Sequence, residues 1–256
     1  MSFKQLCQQA RLRLLRMHYD SKVGHLGGNL SCLDALLYLH HHVLQKEDTF
    51  VLAKGHAAGA LYIALWSIGR LTDGDLAQFH RDATLLAGHP VAGWLPEIAV
   101  ATGSLGHGFP VSTGMALAKR LQCNTGRVFC LMSDGEWQEG SNWEALIFSR
   151  HQQLNNLTIL IDVNGLQGFG TTTEVASMGD LHKRLSAFDV KISVIDGHDP
   201  EQLAVMHEPA EQGPHVVFMN TIKGKGVSFM ENRLEWHYLP LNSAQYEQAR
   251  QEVEAP

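Results

Sequence analysis

Ser133-Asp134-Gly135-Glu136, set against Asn164-Gly165, is the pair of segments on which the reading of this chain turns. Upstream of the first, Arg127-Val-Phe-Cys-Leu-Met132 is a nearly continuous apolar run, the pattern of a strand buried on both faces, and it ends at Asp134. Upstream of the second, Leu157-Thr-Ile-Leu-Ile161 reads as another strand, ending at Asp162 and Asn164. The span from Trp137 to Gln153 between them has the length of a helix. In a strand–helix–strand unit of a parallel sheet, both strands deliver their C-terminal ends to the same edge, so Asp134 and Asn164 converge. A carboxylate and an amide oxygen meeting beside a glycine suit Mg²⁺ or Ca²⁺ carrying a diphosphate. Gly135 lets the backbone approach that anion.

The same alternation runs along the chain. Further strands are expected at 50–53, 191–195 and 216–221. Helical patterns fall at 3–19, 30–43, 57–68, 73–80, 109–121, 137–153, 200–207 and 243–253. Strands alternating with helices imply an α/β fold, a doubly wound and mostly parallel sheet with helices on both faces. Thr72-Asp73-Gly74-Asp75 is a helix start, because Thr and Asp accept from the orphan N–H groups of a first turn. Glycine-rich stretches at 24–28, 103–108 and 165–170 interrupt the pattern, at the loops where such folds bind ligands. No internal linker is evident, and one domain over residues 1–256 is expected.

Composition narrows the function. A net charge of −6 leaves no basic footprint for nucleic acid. No apolar run is long enough to span a bilayer. The 4 cysteines form neither a Cys-x-x-Cys motif nor a disulfide framework, which points to reduced thiols and a cytoplasmic protein. Of the 15 histidines, His40, His41, His42, His80, His151 and His182 read as surface or packed residues. The three adjacent ones point in diverging helical directions and cannot share one ion. His25, His56, His89 and His107 each adjoin a glycine, whose turn can press an imidazole into a cavity.

Asp-Gly, a spacer and then Asn is similar to the thiamine diphosphate signature, and blocks around it accompany that signature in transketolases. These are Gly24-His-Leu-Gly-Gly-Asn-Leu30, Lys54-Gly-His-Ala-Ala-Gly59, Gly88-His-Pro90, Thr102-Gly-Ser-Leu-Gly-His-Gly108, Glu139-Gly-Ser-Asn-Trp-Glu144 and Thr221-Ile-Lys-Gly-Lys-Gly226, in the family's order. Over about residues 8–250 the chain resembles the N-terminal section of a split, two-gene transketolase.

The resemblance implies a division of roles. Asp134, Asn164 and the Leu166 carbonyl would hold the metal. His56, His237, Gly135 and Glu136 would lie at the cofactor, with Gly103, Leu105 and Gly106 as a backbone lip over its thiazolium ring. His25 and His89 would face the hydroxyls and carbonyl of a sugar, a task for which imidazole suits because it donates, accepts and moves protons near neutral pH. Glu139 matches a buried glutamate at the contact between active-site halves. The implied reaction moves a two-carbon ketol unit from a ketose phosphate to an aldose acceptor. The activating glutamate would come from a separate C-terminal subunit bearing the pyrimidine-binding domain, in an α₂β₂ assembly, since no block of that domain is found before Pro256.

Three departures stand out: Ser133 replaces the first glycine of Gly-Asp-Gly, Tyr238 follows Trp236-His237 where glycine is usual, and Val163 and Gly168-Phe-Gly-Thr-Thr-Thr173 diverge near the cofactor. They bear on cofactor affinity and on which sugars are accepted. A 2-oxoacid dehydrogenase E1-like subunit would share the metal motif, but is not expected to carry Gly-His-Leu-Gly-Gly and Gly-His-Pro. A non-catalytic paralogue has only Ser133 and Tyr238 in its favour.

Overall fold

The computed structural model describes residues 1–255. Five strands, β1 (Thr49–Leu52), β2 (Val128–Ser133), β3 (Leu157–Val163), β4 (Lys191–Asp196) and β5 (His215–Asn220), form one sheet in the order β1-β2-β3-β5-β4, with every neighbouring pair parallel. The α-helices are α1 (Phe3–Ser21), α2 (Leu26–Tyr38), α3 (Ala58–Ser67), α4 (Asp73–Leu76), α5 (Gly108–Leu121), α6 (Gly140–His151), α7 (Thr172–Ala176), α8 (Leu181–Ser186), α9 (Pro200–Leu203) and α10 (Ser243–Glu254). Among the described residues no helix is long and apolar enough to cross a membrane.

The period of two in the strands sorts their side chains between two cores. Along β2, Phe129 and Leu131 join the core built from α1, α2 and α3, whereas Val128, Cys130 and Met132 join the one under α5 and α6. In β3, Leu160 faces the first core while Leu157, Ile159 and Ile161 face the second. Both faces are covered, so the strands are apolar throughout, as expected from sequence. Asp162 continues the alternation of Leu160. Its carboxylate is thereby turned towards α2.

All five strands lie within a residue or two of the expected positions. The helices depart in places. The expected helix at 137–153 is broken at Glu139, whose backbone is extended, into a 3₁₀ turn at Gly135–Gln138 and then α6. Side chains impose the break: the Glu136 carboxylate accepts from the Ser133 N–H at 2.9 Å, and Asn142 Nδ2 donates to the Glu136 carbonyl at 2.6 Å. The helix expected from Leu30 begins at Leu26, its first turn closed by the Asn29 N–H on the His25 carbonyl at 3.1 Å. Its C-terminal part, Leu39–Val43, is a π turn in which His40 Nδ1 meets the Leu36 carbonyl and His41 Nε2 meets Ser67 Oγ. These histidines diverge as expected. The 73–80 segment is helical only to Leu76, and two short helices, α7 and α8, occupy stretches where no helical pattern is expected.

His18 lies buried between α1 and α3 with neither ring nitrogen hydrogen-bonded, and burial pushes its pKa down to about 4. The ordinary value is 6.5 and the folded value lies below it, so His18 stabilises the fold fully above pH 6.5 and loses that contribution as pH falls towards 4. The expected slope in that window is about 1.4 kcal/mol per pH unit for one proton taken up on unfolding. His18→Leu should flatten the fall of the urea midpoint between pH 6.5 and 4; an unchanged pH profile in that variant would count against the assignment.

Candidate active site

The site is assembled at the C-terminal edge of the sheet from the ends of four strands. Lys54 follows β1, Asp134 follows β2, Asn164 follows β3 and Lys223 follows β5. Together with His25, His56, His89, His237, Gly103, Leu105, Gly135 and Leu166 they line one cavity of about 230 Å³.

Asp162, at the end of β3, fixes the floor. Its Oδ2 accepts from Ser31 Oγ of α2 at 2.6 Å and from Asn164 Nδ2 at 3.3 Å, and pairs closely with Lys54 Nζ. Its Oδ1 takes a short bond from Thr221 Oγ1. Both partners of the ion pair are essentially sealed from solvent. Burial alone would neutralise each, but the opposite charge prevails: the Lys54 pKa is raised and that of Asp162 lowered. Lys54 Nζ also donates to the Gly28 carbonyl at 3.0 Å.

Asp134 converges with Asn164 as expected. Its Oδ1 accepts from the Gly135 N–H at 2.8 Å and its Oδ2 from the Gly165 N–H at 2.7 Å, while Asn164 Oδ1 accepts from the Leu166 N–H at 3.1 Å. Burial, reinforced by the negative charge of Asp162, raises the Asp134 pKa to about 6. The Gly165 and Gly135 N–H groups and the Lys54 charge pull in the other direction.

Four histidines stand around the cavity. The ring of His25 lies 5.7 Å from that of His56, 6.0 Å from His89 and 5.1 Å from His237, and His56 lies 5.5 Å from His237. Asn29 of α2, wholly buried, ties two of them together: its Nδ2 donates to the backbone carbonyls of His25 (2.8 Å) and His56 (3.1 Å). Its Oδ1 accepts from the Ala60 N–H at 2.6 Å. His25 itself caps α2 in the left-handed region, at φ 64°, and its N–H donates to the His237 carbonyl at 3.0 Å. Burial lowers all four imidazole pKa values, that of His237 to about 3 with Lys223 as a second cause. The cluster is therefore neutral at physiological pH, able to donate and accept.

The expected lip is present. Thr102 Oγ1 donates to the Leu52 carbonyl at 2.6 Å, and a Cβ on Gly55 would lie 2.7 Å from the Gly103 nitrogen, so this approach requires glycine. Ser141 Oγ holds the Gly106 carbonyl at 2.6 Å. Glu139, expected at the contact between active-site halves, is exposed on this chain; Glu136 is buried within it, accepts at the Ser133 and Gly106 N–H groups, and has its pKa raised by burial to about 7. His107 turns back on its own Leu105 carbonyl at 3.0 Å and does not line the cavity. Ser133 keeps its N–H on Glu136, so its replacement of glycine leaves that turn intact. The Tyr238 ring packs on His237 at 4.7 Å, and its hydroxyl stands over Gly168.

Four partners are not singled out by the sequence: Lys54, Asn29, Asp162 and Lys223. Three lie inside the motif blocks, where their spacing is visible but their contacts are not. Asp162 passes as the last residue of a buried strand.

A sheet edge of this kind, with a carboxylate and an amide at adjacent strand ends under a glycine lip, defines a diphosphate-binding α/β chain. Residues 6–254 match the family described as transketolase, thiamine diphosphate binding domain, and the chain belongs to that family. It is 37% identical to one subunit of the apulose-4-phosphate transketolase of Phocaeicola vulgatus, over 96% of this chain and 92% of that protein. It is 34% identical to 6-deoxy-6-sulfo-D-fructose transketolase subunit SqwG of a Clostridium species, over 91% and 89% respectively. Human transketolase is 32% identical over 98% of this chain, which spans only 42% of that longer protein. The structure superposes on a Pichia stipitis transketolase with a TM-score of 0.89 at 26% identity, covering 99% of this chain and 41% of the other.

The Lys54–Asp162 pair gives a testable consequence. Asp162→Ala strands a buried ammonium and should cost about 3–5 kcal/mol, read from the urea midpoint, whereas Lys54→Met combined with Asp162→Leu should recover most of the loss because neither charge is then buried alone.

Proposed function

We propose that this chain is the cofactor-binding subunit of a split transketolase, transferring a two-carbon ketol unit from a ketose phosphate to an aldose acceptor. The observation that carries the reading is Asp134, a buried carboxylate oriented by the Gly135 and Gly165 N–H groups and facing a cluster of neutral histidines. Thiamine diphosphate, when bound, supplies the carbon nucleophile that accepts the two-carbon unit.

The residues fit that cofactor and its metal. Asp134, Asn164 and the Leu166 carbonyl offer hard oxygen donors at one place, and a cation there would relieve the raised pKa of Asp134. Mg²⁺ suits better than Ca²⁺, because it takes few protein ligands and completes its shell with phosphate oxygens and water. Lys223, His56 and His237 supply donors for the diphosphate, with Gly103, Leu105 and Gly106 above. His25 and His89 hold the sugar's hydroxyls and carbonyl, and in their neutral state each can accept a proton from one oxygen or donate to another. Two relatives of similar length are named for apulose-4-phosphate and for 6-deoxy-6-sulfo-D-fructose, which supports a sugar substrate bearing an anionic group.

The remainder of the site belongs to a separate C-terminal subunit with the pyrimidine-binding domain and its activating glutamate, in a cytoplasmic α₂β₂ enzyme. Support comes from the names of the like-sized relatives, each a subunit, and from the exposed positions of Leu105, Val111, Ile147, Phe148 and Glu139. A permanent interface of roughly 2,000 Å² or more would cover such a face. On this reading the chain constitutes one diphosphate-binding domain.

Asp134→Ala should leave the circular dichroism spectrum unchanged and weaken Mg²⁺-dependent thiamine diphosphate binding by more than the roughly 10–100-fold that loss of an outer-shell partner costs a metal site. Unaltered affinity by calorimetry would refute the metal assignment. Purified alone, the chain should show negligible ketol transfer, with activity emerging on addition of the C-terminal subunit; full turnover by rigorously partner-free protein would overturn the split-enzyme reading.

A further inference from the structure

Lys223 is an unstable occupant of its place. It is almost fully buried, and its pKa is lowered to about 8, by burial first and by Lys54 second. Its Nζ meets His237 Nδ1 at 3.2 Å, with no carboxylate paired to it. It sits on neither a strand nor a helix but on the segment that leaves β5, so the segment itself must be held against the lysine's tendency to swing into water. Inside the site the segment is held by the Thr221 N–H on the Val163 carbonyl at 3.1 Å, by Thr221 Oγ1 on the Asp162 carboxylate, by the Gly224 N–H on the Gly27 carbonyl at 2.9 Å, and by the Asn232 N–H on the Lys223 carbonyl at 2.9 Å.

A further bond comes from outside the cavity. The Ile222 N–H donates to His198 Nε2 at 3.0 Å. His198 Nδ1 lies 2.8 Å from Asp34 Oδ2, and Asp34 is also paired with Arg11. His198 precedes α9 in the β4–α9 loop, Asp34 lies on α2 and Arg11 on α1. The side chains of His198 and Asp34 are 9% and 3% exposed, too buried for water to replace either bond freely. The hydrogen-bond roles follow from the donors: since the Ile222 amide can only donate, Nε2 must accept, so the proton sits on Nδ1 and is given to Asp34. The carboxylate thus fixes the tautomer and ring plane that present an acceptor to the residue immediately before Lys223.

We propose that His198, oriented by Asp34 and Arg11, is a positioning residue that keeps Lys223 inside the active-site cavity. It touches neither substrate nor cofactor in the proposed function and acts through the Ile222 amide. The claim concerns where Lys223 stands and holds whether or not the ketol-transfer reading does; only its bearing on catalysis rests on that reading.

The experiment reads lysine burial directly. The full chain is treated briefly with an amine-acetylating reagent, and labelling at each lysine is followed by mass spectrometry. Lys54, buried in the same site but anchored by Asp162, reports on general loosening. In His198→Ala, Lys223 should be labelled about tenfold faster or more, as its segment opens locally, while Lys54 stays protected. His198→Gln, which restores an acceptor for Ile222, should return Lys223 most of the way to its original protection. Unchanged labelling of Lys223 in His198→Ala overturns the proposal. So does equal exposure of Lys54 and Lys223, which would mean that His198 supports the core at large, and so does failure of His198→Gln to restore protection.

Discussion

One buried carboxylate ties the site together. Asp162 is touched by Lys54 from the loop after β1, Ser31 from α2, Thr221 from the segment after β5 and Asn164 from its own strand end. The backbone of Asp134 joins through its N–H on the Asp162 carbonyl at 3.2 Å. Every segment that carries a side chain into the cavity floor is thus fastened to a single residue. A buried ion pair of this sort is a poor source of net stability, since desolvation consumes most of the attraction. Its value lies in geometry. An unpaired charge at this depth is so costly that each partner segment has only one low-energy place to be.

That arrangement also explains what was legible in the sequence. The strands were, because both cores demand apolar residues on alternate faces and the runs at 128–132 and 157–161 are apolar throughout. Asp134 and Asn164 were, because a strand end in a parallel sheet has a fixed destination. The role of Asp162 was not. Its partners Ser31, Lys54 and Thr221 are distant in sequence, and nothing local distinguishes an acid that ends a strand in solvent from one that closes a buried network. The break at Glu139 was hidden for the same reason. Helical periodicity across 137–153 is genuine, but hydrogen bonds from the Glu136 and Asn142 side chains outbid one turn of helix. In the other direction, Gly27 and Gly28 have the composition of a loop and are helical, and at Gly27 the close approach of Lys223 and Trp236 favours a residue without a side chain.

The electrostatics of the cavity follow from its assembly. Lys54 is spent on Asp162, so its charge is largely cancelled within the floor. The four histidines are kept neutral by burial and by one another. What remains is a carboxylate reluctant to ionise, Asp134, and an amine reluctant to protonate, Lys223. Both are held in place by backbone bonds to neighbouring segments rather than by each other. A divalent cation favours ionised Asp134, and an anion beside Lys223 favours the ammonium. On the proposed function, a metal and a diphosphate would together oppose the burial that raises the one value and lowers the other.

The two glutamates of the turn after β2 divide labour along the same line. Glu136 points inward and is consumed by the Ser133 and Gly106 N–H groups, so its acceptors serve the chain's own lip. Glu139, three residues on, falls where the backbone leaves the 3₁₀ turn in an extended conformation, and its side chain is directed out of the chain. A Cβ on Gly106 would lie 2.6 Å from that of Glu139, so lip and glutamate are in contact. Because the break at Glu139 is imposed by bonds internal to this chain, the direction in which its side chain leaves the backbone is set by this chain alone. A protein docking on that face would meet a lip already fixed by Ser141 and Glu136, so less backbone ordering would be left to association.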